Sequence, residues 1–138
     1  MTHLIRATAA GGALLAAAAL LAAGPAQAAP GGARGGDYLY LTVTKGDSRS
    51  SDTRGTLLLC DPPQGHSHAV EACARLAAVA GDITRITPAK DALCPMVYAP
   101  VTAQARGEWD GRPIEYSETF SNSCQLAART GPVFALDS

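Results

Sequence analysis

The first regular pattern in the chain is an alternation. Through Tyr38–Lys45, "YLYLTVTK", Leu39, Leu41 and Val43 fall on one side and Tyr40, Thr42 and Thr44 on the other. A period of two predicts a strand with one buried face. Gly46–Arg54 is polar and reads as a loop. Thr56–Cys60, "TLLLC", reads as a second strand, apolar enough to be buried on both faces or close to it. Asp61–His68 carries Pro62-Pro63 and Gly65, so another loop is expected. Then the period changes. In "AVEACARLAAVAG", Ala69, Cys73, Leu76 and Ala80 stand at i, i+4, i+7 and i+11, one stripe of a helix. Gly81 suits the left-handed residue that ends it.

Alternation returns at Val101–Arg106, with Val101, Ala103 and Ala105 on one side. Asp110-Gly111 is a two-residue hairpin signal, because both central positions of that turn need positive φ. Ile114, Tyr116 and Phe120 lie on one face of the returning strand. "SNSCQLAARTG" reads as a short helix capped by Asn122 or Ser123 and ended by Gly131, and Pro132–Leu136 as a last short strand. Five strands and two helices with meander-like connections predict an α+β fold, an antiparallel sheet with the helices on one face. No internal repeat is visible.

The N-terminal 28 residues have a different character. His3 and Arg6 precede an Ala/Leu/Gly run through Leu21, and Ala26-Gln27-Ala28 is a small-x-small cleavage signature. Residues 1–28 read as a secretory signal peptide. A membrane anchor fits less well, since the apolar stretch is short, Ala-rich and interrupted by Gly24-Pro25. Cleavage after Ala28 leaves 110 residues of the 138, enough for one domain. Residues 29–37, "APGGARGGD", read as a flexible tail and 38–138 as the domain. The exported part carries ten basic against twelve acidic residues, a charge of −2, scattered in sign. No basic block speaks for nucleic acid or anionic lipid.

All four cysteines, Cys60, Cys73, Cys94 and Cys124, follow the expected cleavage. In an exported chain an even count points to disulfides before metal or nucleophile. Three pairings are possible and sequence alone does not choose. Sequential pairing is the simplest, and Cys73, on the inward stripe of the helix, can meet Cys60 at the end of a strand. Closing a loop of about 30 residues stabilises a fold by roughly 3–4 kcal/mol on the chain-entropy model.

Candidate chemistry is sparse. His66-x-His68 has no further ligand at helical spacing and reads as two loop histidines. No Gly-x-Ser-x-Gly occurs, and both histidines share one proline-rich loop, so no hydrolase triad assembles. Cys94-Pro95 as a thiolate haem ligand would need a reducing compartment. Trp109 beside the hairpin reads as a packing residue at the sheet edge, with a binding role as the alternative. No cofactor is implied.

One stretch resists a bland reading. Asp91–Pro100, "DALCPMVYAP", is too broken for a helix and too rich in proline for a central strand. It could be an ordinary surface loop stapled for stability. Yet Pro95 fixes its own φ and pushes Cys94 toward extended geometry. Cys94 anchors the run, and Met96, Val97 and Tyr98 follow with no polar residue between them. An extended, constrained, apolar segment is what a protease cleft recognises, and little conformational entropy remains to be lost on binding.

At these residues the chain resembles the Streptomyces subtilisin inhibitor family. The likeness runs from "LYLTVTKG" to "PVFAL" and includes "CARLAAVAGD", "CPMVY", "GEWDGRPIEY" and "FSNSC". It implies a secreted homodimer whose subunits have a five-stranded antiparallel sheet and two helices. It implies the disulfides Cys60–Cys73 and Cys94–Cys124, and a reactive bond between Met96 and Val97. By that resemblance Met96 enters the primary pocket of a subtilisin-like, or chymotrypsin-like, serine protease. Leu93, Cys94 and Pro95 lie on its amino side, Val97 and Tyr98 on the other. Asn122 either braces this loop or caps the following helix. One departure is visible: the Cys60–Cys73 loop is shorter than in the best-known members. A binding module for another extracellular enzyme, such as a transglutaminase bound by some similar proteins, is the alternative.

Overall fold

The protein is described here as a computed structural model covering residues 11–12, 36–46 and 52–136. Apart from Gly11 and Gly12, the expected signal peptide lies outside the described residues, as does the tail up to residue 35. Asp37, where that tail was expected to end, is held on two sides: its main-chain oxygen accepts from Cys60 N at 2.9 Å and its Oδ1 from Asp110 N at 2.7 Å.

Five antiparallel strands form one sheet: β1 (Tyr38–Lys45), β2 (Thr53–Cys60), β3 (Pro63–Gln64), β4 (Val101–Trp109) and β5 (Arg112–Phe120), in the order β3-β2-β1-β4-β5. Two helices, α1 (Ala69–Ala78) and α2 (Ser123–Thr130), cover one face. The register explains which face. Leu41 stands opposite Thr56 on β2 and Ala105 on β4, and Leu39 opposite Leu58, so β1 aims its aliphatic side chains at the helices. Leu39, Leu41, Leu58, Ala103 and Ala105 are wholly buried there, against Ala72 and Leu76 of α1 and Leu126 of α2. Asp110 (φ 49°) and Gly111 (φ 74°) form the β4–β5 hairpin with the positive φ at both positions that the Asp-Gly pair predicts.

The fifth strand is not where the sequence pattern puts it. Pro132–Leu136 is not extended; Gly131–Phe134 winds into a 3-10 turn. Pro132 lacks the N–H a ladder needs, and Ala135 N donates back to Pro132 O at 3.1 Å, closing the turn over the buried Val133 and Phe134. The fifth strand is instead the two-residue β3, inside the expected Asp61–His68 loop, where Gln64 pairs with Leu59 and Pro63 with Cys60. β2 starts at Thr53, earlier than expected, and is not buried on both faces: Leu58 is enclosed while Leu57 is exposed. Thr44, expected on the solvent side, is buried and shares a 2.8 Å hydrogen bond with Thr53. In α1 the stripe is Ala69, Ala72, Cys73 and Leu76; Ala80 lies beyond the helix at φ 51° and is exposed.

The two disulfides join Cys60 to Cys73 and Cys94 to Cys124. The first ties α1 to the end of β2. Trp109 is buried, with its indole against Gly81. His66 Nε2 donates to Val133 O at 3.0 Å, and its Nδ1 accepts from His68 N at 2.8 Å. That histidine pins its loop to the 3-10 turn.

Candidate functional site

The chain between Thr87 and Pro100 has no strand or α-helix, and its shape is set by what holds it. Ala89 N donates to Ala128 O at 2.8 Å at one end. At the other, Ala99 N donates to Ser121 O at 2.8 Å and Gly46 N to Pro100 O at 2.7 Å. Between them Cys94 is bonded to Cys124. From Ala89 to Ala99 the run is therefore stitched along residues 121–128, within α2 and its lead-in, and Pro100 is tied to Gly46.

Asn122 supplies the middle stitch. It is the N-cap of α2 in extended geometry (φ −164°, ψ 171°), and its Oδ1 accepts from Gln125 N at 2.9 Å, satisfying one of the free N–H groups of the first turn. That bond fixes which end of the amide faces the helix. The Nδ2 end then faces the loop and donates to Pro95 O at 3.1 Å and to Val97 O at 2.9 Å. Asn122 is buried, so each of these bonds is shielded from competing water. Bracing and capping, alternatives in the sequence, are done by one side chain at once.

The consequence falls on Met96. Both neighbouring carbonyls are occupied, while its own accepts no hydrogen bond from the described residues. Its side chain is fully exposed, and those of Leu93 and Tyr98 are 96% and 80% exposed. Val97 is 57% exposed. Four apolar side chains in one short segment stand out in water on a backbone that is pinned from behind. Such a cluster on a soluble protein marks a contact surface. Pro95 lies among them and Cys94 is half-buried. A shallow cleft of about 260 Å³ runs under the segment, lined by Pro95, Met96, Val97, Tyr98, Ser121, Asn122 and Gln125. Gln125 was not singled out in the sequence; its place three residues after the cap is the signal that could have found it. Among the described residues no group of three or more His, Cys, Asp or Glu side chains is placed to hold a metal. Contrary to the sequence reading, a carboxylate does stand at helical spacing from the histidine pair: Glu71, three residues after His68, places its Oε2 3.2 Å from His68 Nδ1 at the start of α1.

Known proteins are similar to this chain in sequence and fold. The sequence profile of the subtilisin inhibitor-like family matches residues 36–122, from the start of the sheet through Asn122. The chain belongs to the subtilisin inhibitor-like family. A protein of Streptomyces avermitilis is 60% identical over 125 residues, 91% of this chain and 84% of its own. The subtilisin inhibitor of Streptomyces albogriseolus is 44% identical over 120 residues, 81% of this chain and 83% of its own. Among solved structures, this subtilisin inhibitor-like chain is similar to Streptomyces caespitosus sermetstatin, crystallised in complex with Bacillus licheniformis subtilisin. The TM-score is 0.60 at 34% identity, over 72% of this chain and 97% of that one.

Proposed function

We propose that this chain is an inhibitor, not an enzyme, that binds subtilisin-like serine proteases as a substrate would, with Met96–Val97 as the reactive bond. The observation that carries this is the exposed Met96 between two carbonyls held by a single buried amide. The named relatives and the sermetstatin complex support it.

Met96 then enters the protease's primary pocket, where burying its long apolar side chain contributes about 1.5–3 kcal/mol. Leu93, Cys94 and Pro95 add as an extended strand on the amino side, and Val97 and Tyr98 occupy the leaving-group side. Because the segment is already tied at Cys94, Pro95, Val97 and Ala99, binding costs little conformational entropy. Attack by the protease's serine on the Met96 carbonyl would free the amine of Val97. That amine cannot diffuse away: Val97 is tied through its oxygen to Asn122, and Ala99 to Ser121. The acyl half is retained by Cys94–Cys124. The amine therefore returns to the acyl carbon and the bond re-forms. Titrating a subtilisin with purified protein should abolish activity at one equivalent of reactive sites, with any clip at Met96–Val97 by mass spectrometry. Residual full activity, or cleavage elsewhere, would overturn the reading. The alternative target, a secreted transglutaminase, draws no support from the relatives or the fold.

We infer further that residues 1–28 are removed on export and that two copies pair. The sheet face away from the helices supports pairing, since Tyr38, Tyr40 and Leu57 are exposed together on it. N-terminal sequencing of protein from culture medium should begin at Ala29, and sedimentation should give twice the mass of one chain. An uncleaved N-terminus or a monomer would refute the corresponding half.

A further inference from the structure

We propose that Gln125 is a second specificity residue, whose amide meets the protease surface on the leaving-group side of the reactive bond. This rests on the inhibitor reading above. The cleft beneath the loop brings Gln125 together with Val97 and Tyr98, the two residues assigned to that side. A protease that grips Val97 and Tyr98 closes over the mouth of the same cleft. Gln125 is exposed there, and its side-chain amide makes no hydrogen bond among the described residues. Its backbone, by contrast, is fixed. Gln125 N is bonded to Asn122 Oδ1 at 2.9 Å, and its neighbour Cys124 is in the disulfide to the loop. A side chain on so rigid a base moves with the reactive bond, and only its own few torsions must be ordered on contact.

The chemistry is that of a neutral amide, which both donates and accepts. It suits a partner surface that presents main-chain N–H or C=O groups, or uncharged side chains. A charge at position 125 would instead select among proteases by the sign of their rim.

The test uses the whole chain: Gln125→Glu against a panel of subtilisins, and Gln125→Ala against one subtilisin with two measurements. One is the inhibition constant; the other is the ratio of intact to clipped inhibitor at equilibrium with catalytic protease. Gln125→Ala should weaken inhibition about three- to tenfold, the usual worth of one neutral hydrogen bond, with an unchanged intact-to-clipped ratio. An unchanged inhibition constant overturns the proposal. So does a ratio shifted toward clipped inhibitor, because Gln125 would then brace the loop and not touch the protease. Gln125→Glu should shift affinities across a panel of subtilisins according to their rim charge, and uniform behaviour across the panel also overturns it. Failure of the unaltered chain to inhibit removes the inhibitor reading itself, and is distinguishable because it appears before any substitution.

Discussion

Asn122 and Val97 are joined by a 2.9 Å hydrogen bond, side-chain Nδ2 to main-chain oxygen, across 25 positions of sequence. The same amide reaches Pro95 O at 3.1 Å, while its other end caps α2. A planar group of fixed orientation thus couples a helix start to both sides of Met96. The helix is the rigid body and the loop is referred to it. Loop rigidity is in this way a by-product of helix capping, and the two can be separated by substitution.

Asn122→Asp separates them. Aspartate is nearly the same shape and an equally good cap, and its charge is favourable at a helix N-terminus. It has no donor for Pro95 O or Val97 O and sets a carboxylate oxygen against them. Two part-buried carbonyls left without donors and faced by a carboxylate oxygen cost up to about 1 kcal/mol each. Helix content by circular dichroism should be kept, urea stability should fall, and subtilisin should clip after Met96 faster than in the parent. If the Asn122→Asp variant resists clipping as well as the parent does, this amide does not protect the bond.

Removing Cys94–Cys124 by Cys94→Ser/Cys124→Ser leaves Asn122 and Cys60–Cys73 in place. The closed segment separates its cysteines by 30 positions, worth roughly 3–4 kcal/mol in chain entropy. The variant should remain folded at low temperature and become a substrate, cut after Met96 and released. Mass spectrometry of a time course with subtilisin decides it; a variant that stays whole and inhibitory would exclude the resealing account.

Met96→Lys tests which side chain is read. A methionine offers a trypsin-type pocket nothing for its buried carboxylate, whereas a lysine ammonium pairs with it. Such a pair is worth at least about 2 kcal/mol, some thirtyfold in affinity. Trypsin inhibition should tighten by that much or more while subtilisin inhibition weakens. Unchanged trypsin inhibition constants would remove Met96 from the pocket.

How much of this was legible beforehand depends on the range of the signal. β1, the Asp110-Gly111 hairpin and α2 announce themselves through local period and turn chemistry, and the structure has them. Pro132–Leu136 misleads because a five-residue apolar run fits a strand or a buried turn equally, and only the hydrogen bond from Ala135 N to Pro132 O decides. β3 is too short to carry any pattern. In the loop, Cys94-Pro95-Met96 shows constraint and exposure in one dimension. The double duty of Asn122 does not show, because its bonds to Pro95 and Val97 span 27 and 25 positions and have no local signature.

Tyr116 should impose an alkaline limit. Burial raises its phenol well above the ordinary value of 10.0, and the hydrogen bond and charge of Glu118 add to this, against a smaller opposing effect of Arg129. Its hydroxyl donates to Glu118 Oε2 at 2.8 Å and its ring stacks on Phe134. In the unfolded chain the phenol ionises near pH 10, before the folded one does, so stability is intact below that pH and falls above it. Urea midpoints between pH 9 and 11.5 should fall less steeply in Tyr116→Phe than in the parent. Identical slopes would mean that this tyrosine does not set the limit.

Gly81 and Gly111 offer a matched pair for the last test. Both have positive φ, 80° and 74°, so alanine strains the backbone at either by about 1–2 kcal/mol. Their surroundings differ completely. A Cβ at Gly111 meets nothing within 4 Å, while one at Gly81 would lie 2.5 Å from Trp109 Cγ and 2.6 Å from its Cβ. Trp109 is enclosed and cannot simply rotate away, so overpacking adds about 1–3 kcal/mol at Gly81 alone. Gly81→Ala should therefore lose more stability than Gly111→Ala in urea unfolding, with weaker near-ultraviolet dichroism from a displaced indole. Both sites are remote from Met96 in the fold's connectivity, so subtilisin titration should stay stoichiometric in each variant below its unfolding temperature. Equal losses at the two glycines would show that the close approach of Trp109 to Gly81 contributes nothing beyond the turn itself.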